Sequence, residues 1–159
     1  MKISRRDAIG GAVAALAATA TPAHAQQASR AAPPISALGR DATHYGVRPN
    51  SPDDQTRALQ RALDDAAQAQ VPLALPAGIY RTGLLRLSNG AQLVGVRGAT
   101  KLKFSGGASM LLAEGSNNIG LNGITLDGGG IALPTRRGLI HCLQGRDVRI
   151  EACEIVGSG

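Results

Sequence analysis

Arg149, Glu151 and Glu154 fall within six residues of one another near the end of the chain. Carboxylates beside a guanidinium are groups that can move a proton, hold a hard cation or meet an anion. Val148 and Ile150 alternate with Arg149 and Glu151. In a strand, burying the apolar pair turns the charged pair to water, and Glu154 follows beyond the next bend. These three are the candidate catalytic residues. They could belong to a groove that later residues complete. The plainer reading is a solvated strand face with local charge pairs, which contribute little to stability. His141 sits in an apolar segment and reads as a structural histidine rather than a general base. Asp53 and Asp54 precede a helical pattern and read as cap residues rather than ligands.

Cys142 and Cys153 are the only cysteines, and neither has a second Cys or His at metal-ligand spacing, so no metal site is expected. Two readings compete for them: a disulfide across one coil, or two small buried apolar side chains. The second is preferred, giving free, buried thiols. No cofactor-binding motif is expected.

The element that must position these groups is a repeat. Residues 110–130 match residues 139–159 without a gap at an offset of 29. Met110 falls on Leu139, Asn118 on Asp147, Ile119 on Val148, Leu121 on Ile150, Ile124 on Cys153, Leu126 on Ile155 and Gly128 on Gly157. A period of that size marks a solenoid, in which one coil stacks on the next. It predicts that Gly120 lies beside Arg149, Asn122 beside Glu151 and Thr125 beside Glu154, with no two carboxylates stacked. Asp127 lies beside Val156.

The amino end reads as a signal peptide over residues 1–25. Lys2, Arg5 and Arg6 precede the short apolar run Ile9 to Ala18, and Ala23-His24-Ala25 fits a small-x-small cleavage site. Ser4-Arg5-Arg6-Asp7-Ala8-Ile9 resembles the twin-arginine export signal, although Ala8 stands where that signal usually has a bulkier apolar residue. The run is too short to serve as a membrane span in the mature protein. The expected partner of this segment is the export machinery, and the expected location is periplasmic or secreted. Of 159 residues, cleavage after Ala25 would leave 134, and losing Lys2, Arg5, Arg6 and Asp7 lowers the net charge from +6 to +4. The remaining basic residues are scattered and not interleaved with aromatics, which argues against nucleic-acid binding. Mild attraction to acidic polysaccharide or a membrane surface remains.

Residues 26–40, rich in Ala, Pro and Gln, read as a flexible leader. Tyr45-Gly46-Val47 is expected as a first short strand. Asp53 to Gln70 is the one expected helix, with Ala58, Leu59, Ala62, Leu63 and Ala66 forming an apolar stripe and Val71-Pro72 ending it. Such a stripe would cover the open end of a solenoid. From Leu73 the period becomes two: Leu73 to Leu75, Ile79-Tyr80, Leu85 to Leu87, Gln92 to Val94 and Leu102 to Phe104, separated by Gly, Asn, Ser and Pro turns. Leu93 and Ile119 are 26 residues apart, which loosely places an earlier coil. Arg136-Arg137 lies in a surface loop. Residues 41–159 are therefore expected to be the N-terminal part of a longer, truncated parallel β-helix of about three coils.

Taken in order, Tyr45-Gly46-Val47, Asp53-Asp54-Gln55-Thr56, Leu59 to Ala67, Pro76-Ala77-Gly78-Ile79-Tyr80 and Leu93-Val94-Gly95 resemble the opening of the pectate-lyase-like superfamily. With the leader and the later coils, the chain is similar to the twin-arginine-exported β-helical repeat proteins. The resemblance implies an all-β, right-handed parallel β-helix with an N-terminal capping helix. It implies action on, or binding of, acidic polysaccharide. If the chain is an enzyme, which the residues leave open, it would be a polysaccharide lyase or a glycoside hydrolase. Ca²⁺ enters as a cofactor by resemblance alone. The superfamily's hydrolase signatures (Asn-Thr-Asp, paired Asp, Gly-His-Gly) are absent from the coils over residues 73–159. The alternative is a non-catalytic structural or adhesive solenoid of the cell envelope.

Overall fold

The computed structural model describes residues 35–158; the expected signal peptide and most of the expected leader lie outside the described residues. The described chain is a parallel β-helix. Its strands are β1 (Arg40–Asp41), β2 (Leu73–Ala74), β3 (Gly78–Thr82), β4 (Leu85–Arg86), β5 (Gln92–Val94), β6 (Thr100–Phe104), β7 (Leu111–Glu114), β8 (Asn117–Asn122), β9 (Thr125–Asp127), β10 (Ile140–Leu143), β11 (Arg146–Glu151) and β12 (Glu154–Val156). Three parallel sheets form the walls: sheet A runs β1-β2-β5-β8-β11, sheet B β3-β6-β9-β12, and sheet C β4-β7-β10. Each coil gives one strand to each sheet, so three coils are complete and β11–β12 begin another.

The offset of 29 holds where it was read. Val148 pairs with Ile119, Ile140 with Leu111 and Ile155 with Leu126. Earlier coils are shorter. Leu93 lies beside Leu121, not Ile119, and Leu73 lies beside Leu93. The connecting turns absorb the difference, so the walls stay in register while the period drifts.

Inward side chains form continuous rungs. Tyr80, Leu102, Leu126 and Ile155 are lateral neighbours through sheet B, as are Leu73, Leu93, Leu121 and Ile150 through sheet A. Each enclosed aliphatic side chain contributes roughly 1.5–3 kcal/mol. Leu102 and Leu126 are 0% and 1% exposed, whereas Ile155 is 52% exposed because only one coil flanks it. The same geometry corrects the expectation of buried cysteines. Cys142 pairs with the buried Ala113 but is itself exposed, and Cys153 is half-buried. Both are free. They occupy inward positions on a coil that is covered from one side.

The helix α1 spans Thr56–Gln68, starting three residues later than expected. Gln55, at its cap, points its side chain back to Arg48 instead, accepting from its amide at 2.6 Å and donating to its carbonyl at 2.8 Å. Asp54 Oδ1 accepts from the Thr56 amide at 3.0 Å, and Asp53 accepts from the Ser51 hydroxyl at 3.2 Å. Burial alone would raise the Asp54 carboxyl. Hydrogen bonds from Ser105 and Thr56, together with the charge of Arg81, hold it below its ordinary value. The segment expected as a first strand, Tyr45-Gly46-Val47, is not one: Tyr45 ends a 3₁₀ turn over Ala42–Tyr45. Asp41 accepts from the Thr43 amide at its start and Gly46, at φ +81°, closes it; the strand is the preceding Arg40–Asp41.

Leu59, Ala62, Leu63, Ala66 and Ala67 of α1 are buried against the first coil. The same N-terminal segment covers the edges of β2, β3 and β4 at that end. Strand β1 pairs with β2. Asn50 donates its amide to Ile79 O at 2.8 Å and its side chain accepts from Ile79 N at 3.0 Å, while the Gln55 amide donates to Arg81 O at 2.9 Å. Gln60 acts as a substitute peptide group on β4: its Oε1 accepts from Arg86 N at 2.8 Å and its Nε2 donates to Arg86 O at 2.9 Å. Exposed edges are sites of unwanted pairing, and these contacts reduce them to the two-residue strand β1.

Tyr80 is fully buried, donating its hydroxyl to Pro76 O at 2.9 Å. Burial, with a smaller contribution from the charge of Asp41, pushes its hydroxyl up to about 12. The folded state therefore holds the neutral phenol after the unfolded chain has begun to ionise near 10. Stability should fall between pH 10 and 12, and Tyr80→Phe, less stable than the parent at neutral pH by about 0.5–1.5 kcal/mol, should close that gap as pH rises. Urea midpoints measured across this range check it; a constant gap would contradict it.

Candidate functional site

Strand alternation decides which side chains reach water. On sheet A the outward positions are Gln92, Gly120 and Arg149 in one lateral row, and Val94, Asn122 and Glu151 in the next. At Gly120 a Cβ would lie 1.9 Å from the Gln92 Oε1, so any larger residue would push that flexible side chain aside. The absence of a Cβ lets the Gln92 amide lie flat and donate to Asn118 O at 2.9 Å. Asn122 Nδ2 donates to Glu151 Oε2 at 3.4 Å, and Arg149 and Glu151 line a small hollow of about 160 Å³.

Glu154 lies elsewhere. It stands on β12 of sheet B, accepts from the Thr125 hydroxyl at 3.5 Å, and lines a separate hollow of about 390 Å³ with Arg97 and Cys153. The three nominated residues are thus divided between two walls and two hollows. Asp127, the next carboxylate on sheet B, is occupied: Oδ2 lies 3.8 Å from Lys101 Nζ and Oδ1 accepts from the Gly129 amide at 2.9 Å. Among the described residues no three Asp, Glu, His or Cys side chains are grouped to hold a metal ion. This donor set does not fit Ca²⁺, which takes six to eight oxygens.

A larger hollow, of about 520 Å³, opens on sheet C where α1 meets the wall. Gln60 and Asp64 approach from α1, Arg86 from β4, Leu112 and Glu114 from β7. Arg86 Nη1 lies 3.3 Å from Glu114 Oε2, with both side chains largely exposed (67% and 49%). Such a pair adds little stability, and both of its members line the hollow. Gln60 is held between the Arg86 backbone and Asp64 Oδ1, at 2.9 Å. Leu112 is outward yet 7% exposed, giving an apolar floor. His141, half-buried, continues the Arg86–Leu112 row on β10. A floor of aliphatic carbon rimmed by fixed amide, carboxylate and guanidinium groups suits a ligand with many hydroxyls.

Sequence reasoning did not join Arg86, Asp64 and Glu114. The offset between β4 and β7 is 26, not 29. The signal was the alternation Leu85-Arg86-Leu87, which sends Arg86 outward once the shorter offset is known.

No family model matches the chain, and no curated protein matches it. Among solved structures it is similar to the A-module of mannuronan C-5 epimerase AlgE4 from Azotobacter vinelandii. The two share 23% identity at a TM-score of 0.58, over 73% of this chain and 38% of that one. The chain therefore spans well under half of that structure, and the likeness is one of fold: a parallel β-helix.

Proposed function

We propose that this is an exported β-helix protein that binds polysaccharide in the hollow on sheet C. The observation that carries this reading is the junction of α1 and sheet C, where Arg86, Glu114, Asp64 and Gln60 rim the apolar Leu112. Two supports are indirect. The fold is shared with a protein named for an activity on mannuronan. Residues 1–25 carry the pattern of an export signal, which would place the chain in the periplasm or outside the cell. The reading is of binding; a catalytic step, by lyase or hydrolase chemistry, has no paired carboxylates assigned to it.

The test is calorimetric titration of the full chain with hexasaccharides of cellulose, mannuronate and galacturonate. At least one should bind, and Arg86→Ala and Glu114→Gln should each weaken it about tenfold, as losing a charge-assisted hydrogen bond does, with an unchanged urea midpoint. Binding by no hexasaccharide, or binding indifferent to both substitutions, would overturn the proposal. The second reading, a non-catalytic structural or adhesive solenoid, draws on the exposed Ile150 and Ile155, 46% and 52% exposed. It expects mass to rise with protein concentration and no saccharide binding.

A further inference from the structure

We propose that the connection from β9 to β10 is a proteolytic processing site, cut at Arg136-Arg137 by an endopeptidase that recognises paired basic residues, and that the two pieces stay docked after the cut. The inference stands apart from the hollow on sheet C, whose residues lie on other elements.

Length and anchoring single out this connection. Residues 83–84 join β3 to β4, residues 123–124 join β8 to β9, and residues 144–145 join β10 to β11. Residues 128–139 join β9 to β10, against a usual length of about 4–6 residues. Both of its ends are held. Gly128 and Gly130 donate their amides to Val156 O and Gly157 O at 2.9 and 2.8 Å. Ile131 and Leu133 rest half-buried on the core, and Leu139 is buried. The middle is free. Pro134, Thr135, Arg136 and Arg137 are exposed one after another. Among the described residues no backbone amide between Ile131 and Arg137 donates a hydrogen bond, and Arg137 closes only a local turn onto Pro134 O at 3.0 Å. An exposed segment with unused amides can straighten and add as a strand to a protease cleft. Arg136 has φ +64°, a region costly for an L side chain, and straightening relieves it.

The remaining basic residues of the described chain are protected. They lie in paired strands or in α1, apart from two. Arg48 precedes a proline. Arg97 sits in the tight connection over residues 95–99, where the Ala99 and Thr100 amides both donate to Val96 O, at 2.9 and 2.8 Å. Arg136 and Arg137 are also the one adjacent basic pair within residues 35–158, and neither makes an ion pair among the described residues. A cleft with two carboxylate pockets gains two charge-assisted contacts at such a pair and one at a lone arginine.

The reaction consumes only water. The peptide C–N bond after an arginine of the pair breaks, the hydroxyl goes to that arginine's carbonyl carbon, and the hydrogen goes to the new amine. The strands beyond the cut keep their sheet partners: β10 on β7, β11 on β8 and β12 on β9. They also cover Leu111, Ile119, Leu121 and Leu126, which are 0–2% exposed. Before the cut the connection keeps these strands at a high effective concentration. Afterwards they are a dissociable ligand of the coils that precede them.

The test digests the folded full chain briefly with trypsin, which cuts after any Arg or Lys, and separately with a subtilisin-type endopeptidase specific for paired basic residues. Intact mass should place the first cut within residues 35–158 at Arg136-Arg137 for both enzymes. The two fragments should elute together on native size exclusion and apart in urea. Arg136→Gln should slow the paired-basic enzyme about tenfold, as losing one charge-assisted contact does, while trypsin still cuts after Arg137. Its urea midpoint should match the parent's, since the side chain is exposed. A first tryptic cut elsewhere within those residues, a folded chain that the paired-basic enzyme leaves intact, or equal rates for parent and Arg136→Gln would each overturn the processing site. Fragments that separate without denaturant would overturn the docking.

Discussion

Leu102→Ala should cost about 2–5 kcal/mol of stability, while Ile155→Ala on the same rung should cost about 1 kcal/mol or less. The two are linked by an unbroken register through Leu126. Chemistry and wall are the same; only the covering differs. Leu102 has a coil on each side and is 0% exposed, so truncation leaves a void bordered by Tyr80 and Leu126. Ile155 has a coil on one side, and water already reaches it. Urea denaturation of both variants measures the difference. Equal losses would mean that the rungs do not stack as described.

Gly78→Ala should be the second large effect, at about 2–5 kcal/mol. Gly78 has φ +148°, a region that L side chains rarely enter, and a Cβ there would lie 2.4 Å from the Pro49 Cβ. The proline ring cannot swing aside. The displaced neighbour would be Asn50, which holds Ile79 from both its amide and its side chain. Gly115→Ala is the control. Its φ of +62° carries the conformational cost, but nothing lies within 4 Å, so about 1 kcal/mol is expected. Similar losses at the two positions would show that backbone conformation, and not the contact with Pro49, dominates.

The sequence made some of this legible and hid the rest for physical reasons. The last two coils were readable because their turns are equal in length, so one offset of 29 aligned inward Ile119 with Val148 and outward Asn122 with Glu151. Before that, offsets of 20 to 28 break the simple overlay, which is why Leu93 was placed against Ile119 and not Leu121. The helix stripe was legible from its period, but its start was not. Gln55 bonds a residue seven positions earlier, a tertiary contact that no local pattern encodes. Cys142 and Cys153 were assigned correctly to inward rows and incorrectly to burial, because a row gives direction and not the coverage above it. The 26-residue offset that brings Arg86 beside Leu112 was attached to sheet A, where it does not hold, and Asp64 needed the docking of α1.

The closed base, where β1, Asn50, Gln55 and Gln60 satisfy the first strands, gives the solenoid a polarity. Head-to-tail stacking requires two complementary ends, and among the described residues one end offers only the two-residue edge of β1 while the other offers β10, β11 and β12. Among the described residues, the broader edge for pairing is the β10–β12 side. Two copies meeting there would each occupy the edge that the other would need to add a third, so the contact favours a pair over a fibre.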